Sequence, residues 1–142
     1  MRSFILYPMI ALICTSSCKK EDNKEADTKK KLSAYWELGG TGIDYNSNNE
    51  LDESERVWKS IDEDVHLTLK EDGTGFYYAR HVANAVNLKA SWALGNGVDL
   101  AIYIPGYDTL YYTVDVVTYD ELQLINTDNP KELSWTFFYR GK

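Results

Sequence analysis

From Val65 to the end of the chain, apolar and polar residues alternate in short runs, and turn signals separate the runs. Val65, Leu67 and Leu69 alternate with His66, Thr68 and Lys70, and Glu71-Asp72-Gly73-Thr74-Gly75 turns the chain into a return run over residues 76–82. Leu88, Ala90, Trp92 and Leu94 alternate with Lys89, Ser91 and Ala93. Gly95-Asn96-Gly97 then supplies the positive φ angles of a tight hairpin. Val98, Leu100, Ile102 and Ile104 share one face up to Pro105-Gly106. Successive strand side chains point to opposite faces, so each run reads as a strand with one buried side. Residues 110–118 are rich in Tyr, Val and Thr, as strands are. Tyr119-Asp120 bends the chain into residues 122–125, and Asn129-Pro130 turns it again. The last run places Leu133, Trp135, Phe137 and Tyr139 on one face and ends at Arg140. With a first strand around residues 35–38, the count is about eight. Consecutive hairpins of this kind predict an all-β fold, an eight-stranded antiparallel up-and-down barrel, whose closure removes exposed edges.

Nothing covalent is available to hold that barrel. The chain has 142 residues, room for one domain, and its two cysteines, Cys14 and Cys18, both precede the strands. The first residues instead form a secretion signal. Met1-Arg2-Ser3 is a positively charged start, and residues 4–14 are an apolar run of 11. A membrane-spanning helix needs about 20 residues, so this run fits a signal peptide. Thr15-Ser16-Ser17 then leads to Cys18. This resembles a lipoprotein cleavage box, with small Ser17 before the lipidated Cys18 and Thr15 where Leu is usual. Residues 1–17 are therefore expected to be removed, leaving Cys18 as an acylated N-terminus and a lipid anchor in the membrane. Cys18-Lys19-Lys20-Glu21-Asp22 resembles the export signal of surface lipoproteins of the Bacteroidetes type, which implies the outer membrane with the domain facing the cell exterior.

After Cys18, residues 19–31 carry six Lys and four acids and no apolar side chain larger than Ala26. They read as a charged tether, either solvated coil or a helical spacer, ahead of a domain over residues 32–142. From Leu32 onward there are 18 acidic and eight basic residues, a net charge of −10. Such a surface repels phosphate backbones, so no nucleic-acid partner is expected.

The string from Leu67 to Tyr78, the hairpin around Gly95-Asn96-Gly97 and the closing SWTFFYRGK resemble small bacterial lipocalin-like domains over residues 34–142. In that family a Trp of the first strand and an Arg late in the last strand pack together and close one end of the barrel. Trp36 and Arg140 match those positions, and Ala34 stands where the family carries Gly. The resemblance implies a barrel that binds a small ligand.

Residues 44–64 interrupt the strand pattern with eight acids and two bases. Asp44 to Glu55 follow the spacing of an EF-hand calcium loop: Asp44, Asn46 and Asn48 at positions 1, 3 and 5, Glu50 at 7 through its carbonyl, Asp52 at 9 and Glu55 at 12. Calcium takes six to eight oxygen ligands, which such a loop concentrates. Asn49 replaces the usual Gly, Arg56 follows Glu55, and no helical pattern precedes Asp44. The other reading is a solvated acidic loop leading into a capped helix, with Asp52 and Glu55 as a capping pair. Trp58, Ile61 and Val65 then have helical spacing to cover a barrel mouth.

No enzymatic pattern emerges. His66 and His81 are the only histidines, and no nucleophile elbow, HExxH or phosphate-cradling loop occurs. Eleven Tyr and four Trp suit a ligand site, since aromatic rings line sites for sugars and apolar molecules, so the ligand expected is a small apolar molecule or a glycan, bound without catalysis. Tyr103, Tyr107, Tyr111 and Tyr112 lie around Pro105-Gly106 and are the candidate ligand-binding residues at a mouth. The alternative is a barrel filled solid, acting as a structural or protein-interaction module.

Overall fold

A computed structural model describes residues 18–60, 64–80, 87–126 and 133–142, with side chains from residue 23 onward. The expected leader (residues 1–17), Ile61, His81 and the Asn129-Pro130 turn lie outside the described residues. Cys18–Leu32 forms a helix, α1. Of the two readings of this segment, the helical spacer is the one observed. Lys, Glu and Ala favour helix, Lys29, Lys30 and Lys31 suit the negative end of its dipole, and Lys31 reaches Asp27 at 2.6 Å one turn back. A polar helix of 15 residues is marginal alone. Its last residue, Leu32, is fully buried against the barrel and holds it in place. Among the described residues no helix is long and apolar enough to cross a membrane.

The strands are β1 Tyr35–Ile43, β2 Arg56–Trp58, β3 Val65–Leu69, β4 Thr74–Ala79, β5 Leu88–Gly95, β6 Asp99–Tyr103, β7 Leu110–Val117, β8 Glu121–Asn126 and β9 Ser134–Arg140. From β3 to β9 each strand pairs antiparallel with the next, and β9 pairs with β1 to close the ring. β3 pairs with Tyr35–Glu37 of β1, and β2 pairs with Gly40–Gly42 on the same edge. β2 and β3 are thus two pieces of one stave, and the closed barrel has eight. The tight hairpin forms as expected: Asn96 and Gly97 take φ of 51° and 73°, and the Val98 N–H donates to the Gly95 carbonyl. The helix expected in the insertion is reduced to one 3-10 turn, Glu53–Glu55. Trp58 and Val65, expected on one helix face, lie on strands instead. The edge of β1 offers unpaired backbone groups, and pairing with it outweighs a local helical spacing.

The alternation places its apolar residues inside. Leu67, Leu69, Ala90, Trp92, Leu100, Ile102, Val114, Leu122 and Leu124 form one cluster with Trp36, Phe138 and Leu32. Trp36, Leu32, Leu122 and Leu124 are wholly inaccessible, so side chains fill the centre.

The last strand corrects the simplest reading of its pattern. Trp135, Phe137 and Tyr139 do share a face, but it is the outer one. Phe138 is the residue that joins the interior cluster, opposite Leu38 and Leu122. Trp135 and Phe137 are nevertheless fully buried, and Arg56 and Trp58 lie over Phe137. Trp58 meets Phe137 edge-on at 5.4 Å and lies parallel to Tyr139 at 6.1 Å. The Arg56 guanidinium sits over Phe137 at 5.0 Å and donates to Glu121 at 2.8 Å and to the Tyr139 hydroxyl at 3.1 Å. The Trp135 indole donates to Asp115 at 2.9 Å. This cover requires glycine on β1: a Cβ at Gly40 would collide with the Val57 carbonyl, and one at Gly42 with the Leu51 methyl.

Candidate functional site

The loop over residues 44–55 gathers the residues that its spacing singled out. Asp44 accepts the N–H groups of Asn48 and Asn49 at 3.2 and 2.9 Å. Asn46 Oδ1 accepts from Asn48 N–H, and Asn48 Oδ1 from Glu50 N–H, both at 2.9 Å. Glu55 reaches back across the loop. Its Oε1 accepts from Tyr45 N–H at 2.9 Å and its Oε2 from Asp52 N–H at 3.1 Å. Asn49 occupies the sharp turn with φ of 63°, the left-handed conformation that asparagine tolerates better than most residues. Leu51 packs onto Gly42, which ties the loop to β1.

The donor set, three carboxylates and two amide carbonyls, is of the kind calcium takes. The loop also satisfies itself: the Asn46 and Asn48 side-chain amides donate to Asp52 Oδ2 at 2.7 and 3.0 Å. Glu50 takes part through its backbone, and its side chain is exposed. Among the described residues no three His, Cys, Asp or Glu side chains converge as a metal-holding group.

The four tyrosines do not converge on an interior mouth. Tyr112 points inward and packs against the core. Tyr111, its neighbour on β7, points outward and is 57% exposed, and Tyr103 and Tyr107 are 51% and 50% exposed. The reason is the strand period itself: adjacent residues of one strand serve opposite faces. On the outer wall of β5, β6 and β7 lies a depression of about 460 Å³. Ala93, Gly95 and Ala101 make its floor, and Tyr111, Asp99 and Thr113 flank it. Tyr103 is one step further along β6, opposite Ser91.

Trp36 and Arg140 are direct cross-strand partners at the α1 end of the barrel. The expected stacking is replaced. Leu32 covers the indole, whose Nε1 donates to the Leu32 carbonyl at 2.8 Å. Arg140 stays exposed, lies over the Tyr119 ring at 5.8 Å and donates to the Tyr119 carbonyl at 3.2 Å. Cys18 opens α1, and its side chain lies outside the described set.

One arrangement escaped the sequence reading. His66, which the alternation puts on the polar phase of its strand, bridges Asp64 at 2.7 Å through Nε2 and the Tyr35 hydroxyl at 2.5 Å through Nδ1. Burial, with Glu37 and Asp64 nearby, pushes the Tyr35 phenol above its ordinary value. These residues border a second outer-wall depression of about 430 Å³ with Phe76, Tyr78 and Asn87. The only sequence signal was the outward phase of His66. Asp64 is a neighbour along the chain, and only the register between β1 and β3 brings Tyr35 to the ring. The Tyr35 and His66 rings stack on each other at 14°, so they face one another rather than the groove.

Comparison with family models, with curated proteins and with solved structures found no match. The fold stands on its own geometry: a closed eight-stave antiparallel barrel, consistent with a lipocalin-like fold.

Proposed function

We propose that this chain is a non-catalytic surface lipoprotein of the lipocalin-like kind, anchored in the outer membrane through acylated Cys18, that binds a glycan on the outside of its barrel. The filled interior carries this reading. Trp36, Trp92, Phe138 and the aliphatic residues around them occupy the space where a lipocalin-like barrel would hold a ligand. An apolar molecule needs enclosure, since its binding depends on removing surface from water. A sugar does not: it stacks its C–H face on an aromatic ring and keeps hydroxyls solvated. The β5–β7 depression suits that: its lining is mostly apolar, with the accessible Tyr111 ring for stacking, Asp99 and Thr113 among the residues around it, and a volume within the usual ligand-site range of about 300–1,000 Å³. The test joins two measurements. Mass spectrometry of the mature protein should find an acylated N-terminus at Cys18. A glycan array followed by NMR titration should shift Tyr111 and Thr113, and Tyr111→Ala should abolish binding. A non-acylated N-terminus, or an apolar molecule retained inside the barrel, overturns the reading.

A second property has its own observation. Five oxygen-bearing side chains stand at EF-hand spacing in the 44–55 loop, each bonded to groups of the loop itself, and the Asn49 φ supplies the turn that glycine usually makes. Calcium at this loop would replace the two amide donors now facing Asp52. Calorimetric titration with calcium, with magnesium and Glu55→Gln as controls, tests it; a silent titration removes calcium from the account.

A further inference from the structure

We propose that α1 is a rigid arm, so that a lipid on Cys18 turns the α1 end of the barrel toward the bilayer and leaves the 44–55 loop and Tyr107 facing outward. This rests on the acylation of Cys18 proposed above and adds a surface: the barrel end that meets lipid.

The arm is keyed at three places. Leu32 is sunk in the core, and the Trp36 indole donates to its carbonyl at 2.8 Å. Ser33 Oγ donates to the Lys29 carbonyl at 2.8 Å, closing the last turn, and Lys29 Nζ lies 5.8 Å from the Trp92 ring. Two turns earlier, Glu25 passes over the β5–β6 hairpin: a Cβ built on Gly97 would lie 3.9 Å from Glu25 Cβ. Leu32 anchors the helix in the core, and the closeness of Glu25 to the hairpin gives the helix its direction across this end of the barrel. The seven residues from Cys18 to Glu25 extend it about 10 Å beyond the hairpin. The hairpin, the Asp72-Gly73 turn and the β7–β8 turn all lie at this end, because β5 and β7 run toward it and β4, β6 and β8 away from it. The 44–55 loop follows the far end of β1, and Tyr107 follows the far end of β6.

The full lipoprotein provides the test. Cysteines introduced as Glu25→Cys and Gly97→Cys have the Cβ separation that a disulfide takes, about 3.5–4.5 Å. They should crosslink nearly completely on mild oxidation, whereas Glu25→Cys with Asp108→Cys should not. Because Gly97 has φ of +73°, a second measurement avoids substituting it. In vesicles containing a nickel-chelating lipid, a spin label at Asn96 should be relaxed strongly and one at Asp108 weakly. Equal relaxation at both sites, with Cys18 acylated, overturns the rigid arm alone. An unmodified Cys18 overturns the anchor and the arm's membrane role together, even where the crosslink forms.

Discussion

The inner and outer faces of β8, β9 and β1 carry two aromatic clusters built on different terms. Inside, Trp36 and Phe138 lie among Leu122, Leu124 and other aliphatic residues, and the indole N–H is satisfied by one backbone carbonyl. Outside, Phe137 and Tyr139 are covered by Arg56 and Trp58, Arg56 is tied to Glu121, and Trp135 is tied to Asp115. The inner cluster closes because the sheet curls on itself. The outer one closes only because the insertion folds over glycines on β1. The comparison teaches that apolar period two identifies a strand but does not say which face is inside.

Substitutions can break that comparison. Trp36→Ala should cost about 3–5 kcal/mol in urea unfolding, the range for a large aromatic lost from a packed core. Trp58→Ala, at 54% exposure, should cost about 1 kcal/mol, roughly the value of an aromatic pair contact. Comparable costs would mean that the outer cluster is as closed as the core. The ion pair sharpens the contrast. Arg56 is nearly buried, so Glu121→Ala strands a cation and should cost about 2–3 kcal/mol, whereas Arg56→Met removes the charge, keeps the bulk and should cost less than about 1 kcal/mol. Equal losses would show that packing rather than charge governs the outer face.

A pH scan probes the inner side. Burial pushes the Tyr77 phenol above its ordinary value. The unfolded chain ionises first, near pH 10, so this contribution is complete below about pH 10 and is lost as pH rises toward the folded-state value. Tyr77→Phe should flatten the alkaline loss of stability; an unchanged slope would point to other groups. The smallest effect belongs to Arg140→Lys, expected within about 0.5 kcal/mol because the guanidinium is exposed and rests on Tyr119 rather than on Trp36. A larger loss would restore the Trp36 partnership that the family resemblance implies.

Much of this barrel was legible in the sequence. The hairpin at Asn96-Gly97 and the inward sets Leu67/Leu69 and Ala90/Trp92 follow from residue type and period, since both are local. The 44–55 loop bonds within itself, between residues at most ten apart, and the pairing of Asp52 with Glu55 was legible for the same reason. The Tyr35–His66 contact was not, because it depends on the register between β1 and β3.

By itself, the sequence determined most of the strands, their antiparallel order and the polar character of the segment before them, because turn chemistry and side-chain alternation act over a few residues. Only the tertiary structure decided three things: that Phe138 and not Phe137 enters the core, that Trp58 extends a stave instead of a helix, and that Leu32 takes the place over Trp36 expected for Arg140. Each turns on which surface a distant segment reaches first. Closing the ring and covering its outer wall bring together residues as far apart as Arg56 and Tyr139, and no local preference encodes such a choice.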